Sequence, residues 1–483
     1  MKMNILGVAV AAVVASAMGA CGGGTSNSTA ADAGKEAETL EPGVDAGAVI
    51  DARTGSTTDA TAEAEAEAGV DHGAPSATYP AFKPDVGSIQ NNMGLVMTDP
   101  VIVPITWSAD PSQSLFQAFS DTVGATAYWA AAATEYGVKA AVSGAANHVS
   151  FTTTAPASIS DCDLQSWVTT NAGAAGTGWP AATQNTIYAF FLPPGTSLNL
   201  GQCTGPGSGA DAGAANDACT QGVGGYHSQV TVGSVTTSYA VVPSCTFKGS
   251  PATAQQQSTE SMSHELLEAV TDPHPNDNNP GWIGFDTDHF AYNWFFEFQN
   301  TENGDACEVY SDSFFEDKET TPAPFDYFVQ RTWSNKPGPL GHDPCVPAPA
   351  DPYFNVAVLN LSEVTLSLPP QLTGMSTTVN QQVKGVHIPV GKSGVIELGF
   401  FSDGPTSGPM TISWKQGSPF NPTAATYLDA TIDKTSGVNG EKAYVTVTPN
   451  AAGKLAGELL WIDVALGGVK HIMPIVISSY ESD

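Results

Sequence analysis

The segment that most constrains the fold of this chain runs from residue 263 to residue 273, because its apolar and polar side chains recur with the period of a helix. At about 100° per residue, its apolar residues share one face, and His264 and Glu268 fall on the opposite face. Pro273 cannot continue a helix. We therefore predict a helix that begins near residues 251–253 and ends just past Val270, with separate apolar and polar faces.

The polar face of this helix carries the residue types of a metal site. His264 and Glu268 are four residues apart, so a helix presents both side chains to one point in space. Glu265 points to the flank of that point, where a carboxylate can take a proton from a metal-bound water. These three positions predict a metal-dependent hydrolase with Glu265 as its base.

The pattern resembles H-E-x-x-H, the motif of the zincin metallopeptidases, in which two histidines bind zinc and the glutamate activates water. Here Glu268 replaces the second histidine. A carboxylate oxygen is an acceptable zinc ligand, but it adds negative charge and makes a bound water less acidic. The resemblance implies Zn²⁺ as the cofactor and a peptidase-like reaction.

A second resemblance lies downstream at residues 302–307, Glu-Asn-Gly-Asp-Ala-Cys. The gluzincin branch of the zincins takes a third ligand from a later glutamate, and an aspartate soon after it supports the first histidine. This implies Glu302 as the third metal ligand and Asp305 as the supporting residue, with a spacing one residue shorter than usual. Residues 92–310 also resemble a group of secreted bacterial lipoproteins that are distantly similar to the plant phosphate-induced (exordium-like) family.

Several alternatives for this segment stay open. Glu-rich helix surfaces are common, so the acidic face of the helix is also explained by simple solvation without a metal. His227 and Asp272 are further possible contributors to the site, although a histidine beside the glycine pair at 224–225 is more often a turn residue. Ca²⁺ is a second possible cofactor, because Asp286 and Asp288 could join the residues at 276–278 around a cation.

The N-terminus has the pattern of an export signal. Residues 1–20 begin with a short basic stretch and continue as an apolar run, which predicts a lipoprotein signal peptide. Residues 18–21 resemble a bacterial lipobox, so Cys21 is expected to carry a lipid that anchors the protein to a membrane. A plain cleaved signal is the alternative. We expect a protein of the bacterial cell envelope, at the outer membrane or cell surface, facing the periplasm or the exterior.

The next segment, residues 21–75, is rich in Ala, Gly, Ser, Thr and acidic residues and has little to bury. Such a composition predicts a disordered tether. The whole chain has a formal net charge of −32 with 16 Lys and Arg residues, which excludes nucleic acid as a partner, because a phosphate backbone requires basic surface. A peptide or polysaccharide remains possible as substrate or ligand.

Six cysteines remain after Cys21, and an even number in an exported chain predicts three disulfides. The pairing stays open. The pairs that proximity along the chain favours are Cys203 with Cys219, Cys307 with Cys345, and Cys162 with Cys245.

The body divides into two parts at a Pro-rich linker, residues 346–352. Residues 76–347 alternate strand and helix patterns, with strands at 100–107 and 186–192 and a helix over 112–136, and predict an α+β domain that the resemblance makes zincin-like. An aromatic and acidic segment, residues 274–300, is expected to be a lid packed on the motif helix or the wall of a cleft.

Beyond the linker, residues 353–483 carry about seven to nine short alternating strands separated by Gly, Pro and Asn, which predicts an immunoglobulin-like β-sandwich. The leading functional hypothesis is a surface-anchored metal-dependent hydrolase, with Glu265 activating a metal-bound water. The alternative is a non-catalytic envelope lipoprotein, binding or structural, on a degenerate zincin-like scaffold.

Overall fold

The computed structural model shows a β-rich protein with few helices. The residues that it describes are 70–201, 216–247, 250–277, 279–296, 301–370, 376–417, 427–453 and 455–481. The predicted signal peptide, Cys21 and the tether up to residue 69 lie outside them. Within the described residues, no helix is both long enough and apolar enough to cross a membrane.

The first part of the chain, up to residue 346, contains strands β1–β13 and helices α1–α7 among the described residues. The strands are Ile89–Asn91, Val101–Trp107, Val149–Phe151, Ser158–Ser160, Thr186–Phe191, Ser197–Asn199, Tyr226–Val232, Val235–Val242, Trp282–Phe285, Phe314–Glu319, Phe325–Gln330, Thr332–Trp333 and Cys345–Val346. The helices are Gln113–Val123, Ala127–Ala133, Asp161–Asn171, Ala218–Gln221, Ala254–Thr271, Phe290–Phe295 and Asp305–Glu308.

A five-stranded mixed sheet organises this part, in the order β3-β2-β5-β8-β7. The four strands from β3 to β8 are parallel, and β7 pairs antiparallel with β8 at the edge. Every residue of β5 is buried, as expected for an interior parallel strand that is covered on both faces. Helices α1 and α5 pack on one face of the sheet, and separate hydrophobic cores lie on its two faces.

The helix predicted over 112–136 is two helices, α1 and α2, with a break at Gly124. The backbone of Gly124 lies against Ala141, whose carbonyl oxygen would be 2.4 Å from an added Cβ. Thr126 then starts α2 as its N-cap, because its side chain accepts a hydrogen bond from the backbone N–H of Trp129. The apolar spacing continues across the break, which is why the sequence predicts one helix.

The motif helix, α5, has the limits that the sequence predicts. Thr253 and Gln256 form a capping box at its N-terminus, and the helix ends at Thr271, two residues before Pro273. Every residue from Met262 to Thr271 is buried. The polar face of the helix therefore lies inside the protein and is not a solvated acidic surface.

The second part of the chain is a β-sandwich of two sheets. Its strands, β14–β23, are Phe354–Val358, Ser362–Leu368, Val379–His387, Gly394–Ser402, Met410–Gln416, Leu428–Ile432, Ser436–Gly437, Lys442–Pro449, Gly457–Leu466 and Val469–Ser478. One sheet has the order β14-β17-β21-β19 and the other β15-β16-β23-β22-β18-β20. The described residues thus give ten strands, one more than the upper predicted number, because the two-residue β20 has no alternating pattern.

The hydrophobic core of the sandwich continues into the first part of the chain. Phe295, on α6, lies edge-on to Trp461 with ring centroids 5.4 Å apart, and the hydroxyl of Tyr292 is 3.8 Å from the sulfur of Met473. The aromatic segment, predicted to lie on the motif helix or along a cleft, instead carries most of its rings to the sandwich. The sandwich offers a sheet face on which these rings can be buried, whereas α5 already buries its own apolar face against the mixed sheet.

The described chain begins with a strap, residues 71–82, that lies along the sandwich. The backbone of Lys442 donates to the carbonyl of His72 (2.7 Å), and Ser76 donates to the carbonyl of Asn439 (2.8 Å). Phe82 packs against Tyr353 and Phe401. The segment predicted as a tether extends to residue 75, but its last residues pair with the sandwich because backbone groups there find partners in the 439–442 turn.

Two disulfides are resolved in full. Cys307–Cys345 is as predicted. The bond Cys219–Cys245 shows that two predicted pairs, Cys203 with Cys219 and Cys162 with Cys245, are wrong. The hairpin of β7 and β8 explains the second bond, because Tyr226 lies opposite Val241 and the chain therefore returns beside its own start. Cys162 is also disulfide-bonded, and Cys203 lies outside the described residues.

Candidate functional site

The predicted site residues meet where three segments converge on the polar face of α5. His264, Glu265 and Glu268 come from the helix, and His227 comes from the edge strand β7. Two further acids come from the start of α7, where Glu302 precedes the helix and Asp305 is its first residue. All except Asp305 are less than a tenth exposed, and Glu268 is 3% exposed. The side chain of Asp305 is 40% exposed and lies at the solvent edge of the cluster.

Glu268 is at the centre of this cluster. Its Oε1 lies 3.0 Å from Nε2 of His264, four residues earlier on the helix, as the sequence predicts. Its Oε2 lies 3.6 Å from Nδ1 of His227, on the neighbouring strand. The two oxygens of one carboxylate therefore face two histidines from different elements.

The ring orientation of His264 is fixed from behind by Gln330, at the end of β11. Nδ1 of His264 lies 3.0 Å from Oε1 of Gln330, and the amide nitrogen of Gln330 donates to the carbonyl of Gly304 (2.8 Å). Because the amide oxygen can only accept, Nδ1 is the donor in this contact. The other ring nitrogen, Nε2, faces Glu268 and Oδ1 of Asp305, which is 3.7 Å away.

Asp305 therefore does not occupy the place that the resemblance implies for it. It lies on the Nε2 side of His264, among the acids, and Gln330 supports the ring instead. The sequence carries no signal for Gln330, because only the packing of β11 beside α5 brings the two residues together. A carbonyl oxygen behind the ring is the usual arrangement for a metal-binding histidine.

His227 is oriented in the same way, but with the roles of its two ring nitrogens exchanged. Its Nε2 lies 3.1 Å from the main-chain carbonyl oxygen of Asp272, so Nε2 is the donor in this contact and Nδ1 is the nitrogen that faces the acids. Nδ1 lies 3.5 Å from Oε2 of Glu265 and 3.6 Å from Oε2 of Glu268. His227 is thus a buried strand residue that faces the cluster rather than a turn residue.

Two backbone N–H groups hold the segment that carries Glu302 and Asp305. The N–H of Glu302 donates to Oδ2 of Asp305 (3.0 Å), and the N–H of Asp305 donates to Oε1 of Glu268 (3.2 Å). Oε2 of Glu302 lies 3.6 Å from Nε2 of His227. Oε1 of Glu302 and Oδ2 of Asp272 are buried and have no hydrogen-bond partner among the described residues.

The ligand atoms fall into two groups of three, within each of which all atoms lie within 4.8 Å of one another. One group is His264, Glu268 and Asp305, and the other is His227, Glu268 and Glu302. The trio implied by the resemblance, His264 with Glu268 and Glu302, is divided between the two groups. Glu268 belongs to both.

The charges of the cluster shift its pKa values strongly. Burial lowers the pKa of His227, but the carboxylates of Glu265 and Glu268 outweigh it and raise that pKa to about 10. Burial and the negative charge of Glu268 raise the pKa of Glu302 well above its usual range. Burial alone would raise the pKa of Glu268, but His264 and His227 hold it below its usual range. Such opposed shifts are typical of functional sites.

Gly304 lets the loop approach the helix. A Cβ at this position would lie 2.7 Å from Oε1 of Glu268 and 2.8 Å from Nδ1 of His264. Its φ of −72° is ordinary, so the requirement for glycine here is one of space and not of backbone conformation. The sequence places this glycine between Glu302 and Asp305, which could have indicated a close approach.

The acids considered for calcium have other partners. Asp286 accepts hydrogen bonds from the backbone of Ser88 (2.8 Å) and lies 2.7 Å from the ring of His289. Asp277 pairs with Gln229 on β7. Within the described residues, none of these acids belongs to a group of three potential ligands.

No protein-family model matches the chain, and no curated protein matches it either. Among solved structures, the chain is similar to domains 4 and 5 of the S-layer protein SbsC, with 15% sequence identity and a TM-score of 0.14. That likeness covers 34% of this chain and 99% of the S-layer chain. At this TM-score it carries no argument about function.

Proposed function

We propose that this protein is a metal-dependent hydrolase of the bacterial cell envelope, peptidase-like, with its metal centre around Glu268. The observation that carries the proposal is the orientation of the two histidines. Each ring is held from behind by a neutral carbonyl oxygen, and each free nitrogen faces a different oxygen of Glu268. Metal-binding histidines are oriented in this way.

The charge of the cluster supports the same proposal. Within the described residues, the ion-pair partners of Glu265, Glu268, Glu302 and Asp305 are histidines only. Two histidines, even when both are protonated, balance only two of these four carboxylates, and a buried carboxylate left without a compensating cation costs several kcal/mol. A divalent cation would offset this cost.

The donor set fits zinc better than calcium. Imidazole nitrogen with carboxylate oxygen suits Zn²⁺, whereas Ca²⁺ prefers oxygen ligands throughout. The buried oxygen Oε1 of Glu302, which has no hydrogen-bond partner among the described residues, is a further acceptor beside the cluster. Zn²⁺ is therefore the proposed cofactor, and the ligand group that contains His264 is His264, Glu268 and Asp305.

A bound zinc ion would supply Lewis acidity for the attack of water on a carbonyl carbon. Glu265 is the proposed base, and it takes the proton because its carboxylate lies beside the cluster without being its central member. Gly225 leaves space for it, since a Cβ there would lie 3.2 Å from Oε1 of Glu265. Asp305 marks the solvent side, from which a peptide or another substrate would enter.

The finer fold assignments belong to this proposal. The mixed sheet with α5 packed on it supports a zincin-like α+β domain over residues 76–347, and the two facing sheets support an immunoglobulin-like sandwich over 353–483. The lipobox-like residues 18–21 support a lipid anchor on Cys21 and a place at the outer membrane or cell surface.

The test is hydrolysis of casein and of a peptide library by the purified protein, with and without a chelator. Glu265→Gln should lower the rate by about 10²- to 10⁴-fold while the metal content is kept. The control is Glu363→Gln, the same substitution on an exposed strand of the sandwich, which should leave the rate unchanged. Hydrolysis that survives both the chelator and Glu265→Gln contradicts the proposal.

The depth of the cluster favours a second candidate function. Glu265, Glu268 and Glu302 are all less than a tenth exposed, which suits a closed structural site as well as a catalytic one. In that case the protein is a non-catalytic envelope lipoprotein that binds a peptide or polysaccharide or has a structural role. Stoichiometric metal, a stability loss on chelation and no hydrolysis of any library member would favour this candidate.

A further inference from the structure

The position of Glu268 implies more than one cation. A carboxylate that ligates a single ion presents one or both oxygens to the same point, whereas here Oε1 faces Nε2 of His264 and Oε2 faces Nδ1 of His227. The two histidines thus contact different oxygens of the one carboxylate. This is the arrangement of a bridging ligand between two cation positions.

The separations between ligand atoms support two positions. Nδ1 of His227 lies 3.6 Å from Glu268, and Nε2 of His264 lies 3.7 Å from Asp305. Both distances exceed the range of an N–H···O hydrogen bond, about 2.7–3.2 Å, whereas Nε2 of His264 and Oε1 of Glu268 are 3.0 Å apart and lie within it. They are close to the ~3.3 Å that separates two ligands on one tetrahedral zinc ion when each ligand is about 2.0–2.1 Å from the metal.

The charge count points the same way. Five carboxylates meet here, those of Glu265, Glu268, Asp272, Glu302 and Asp305, and four of them are at least nine-tenths buried. If all five are ionised, as metal ligands must be, their formal charge of −5 becomes −3 with one divalent cation and −1 with two. Two buried oxygens, on Glu302 and Asp272, also remain without a partner after all hydrogen bonds among the described residues are made.

We propose that the cluster is a dinuclear centre in which Glu268 bridges two divalent cations. One cation is held by His264, Glu268 and Asp305, and the other by His227, Glu268 and Glu302. This inference rests on the proposed function, because it concerns the same cluster, but it replaces the single zinc that the motif implies. Paired ions of this kind stand about 3.5–4 Å apart and clamp both the attacking and the leaving oxygen of a hydrolysed bond.

The test is metal stoichiometry in the untagged protein after reconstitution with Zn²⁺, measured by inductively coupled plasma mass spectrometry. The wild type should hold two equivalents per chain, His227→Asn and Asp305→Asn should each hold one, and Glu268→Gln should hold neither. The control is His148→Asn, which removes a histidine that pairs with Asp121 away from the cluster and should keep two equivalents.

A second measurement does not depend on any variant folding. Reconstitution of the wild type with Mn²⁺ should give the electron paramagnetic resonance spectrum of an exchange-coupled pair, because two ions on one bridging carboxylate interact magnetically. One equivalent with the spectrum of an isolated ion overturns the dinuclear centre but leaves the proposed hydrolase standing. No bound metal at all overturns both, so the two failures are distinguishable.

Discussion

Gly304→Ala tests the proposed metal site by adding one methyl group where there is no room for it. The backbone at Gly304 has φ −72° and ψ −51°, which alanine adopts without strain. The added Cβ would lie 2.7 Å from Oε1 of Glu268 and 2.8 Å from Nδ1 and Cε1 of His264. Ordinary contacts of this kind begin near 3.4 Å, so about 0.7 Å of movement has to be shared between the loop and these two side chains.

Metal–ligand distances tolerate only about ±0.2 Å, so the displacement should weaken metal binding. We expect the affinity for Zn²⁺ to fall by about 10- to 100-fold, roughly the effect of disturbing the groups that orient metal ligands. A tenfold loss corresponds to about 1.4 kcal/mol. Overpacking should also lower the free energy of unfolding of the metal-free protein by about 1–3 kcal/mol.

The affinity is measured by competition with a chromophoric chelator, and the stability by thermal unfolding after metal removal. Gly408→Ala is the matched control, because a Cβ at Gly408 meets nothing within 4 Å and the residue does not have a positive φ. It should bind metal like the wild type. If Gly304→Ala keeps an affinity within about twofold of the wild type, the residues around Gly304 do not hold the metal.

Three further predictions concern the scaffold. Replacing Cys307 and Cys345 by serine opens a loop of 38 residues and should lower the free energy of unfolding by about 4 kcal/mol in urea titrations. A reductant, which also opens Cys219–Cys245, should lower the stability of the wild type by at least as much, and a smaller loss contradicts this prediction. Burial lowers the pKa of His471 to about 4, so its contribution to stability is complete above pH ~6.5 and is lost as the pH falls through 4. His471→Phe should therefore make the melting temperature depend less on pH over that window. An unchanged profile contradicts this prediction. Phe295→Ala should lower the free energy of unfolding by about 3–5 kcal/mol. Because it loosens the contact with Trp461, it should also split thermal unfolding into two transitions. A single transition at an unchanged temperature would show that the two parts are not coupled at this contact.

The sequence predicts what depends on local pattern. The predicted limits of α5, a start near residues 251–253 and an end just past Val270, are both confirmed. The proximity of His264 and Glu268 follows from their spacing of four residues on a helix, and the structure confirms it at 3.0 Å. The strands at 101–107 and 186–191 follow from apolar runs that only a buried strand of this length explains.

Contacts between residues that are far apart in the sequence are not predictable from local pattern. Gln330 supports His264 because β11 lies beside α5, and no spacing in the sequence relates these two residues. The pairing of Cys219 with Cys245 depends on the register of a hairpin and not on the distance between cysteines along the chain. At the break between α1 and α2, Gly124 lies against the backbone of Ala141, a contact that no local pattern in the sequence shows.

The strap at the start of the described chain determines where a pulling force enters the molecule. A load on the chain before residue 71 passes first into the backbone pairs between the strap and residues 439–442, in the turn that leads into β21. The proposed metal ligands lie on other segments of the chain. A force applied from the N-terminal side should therefore strain this part of the sandwich before it deforms the proposed site, so the second part of the chain bears the load first.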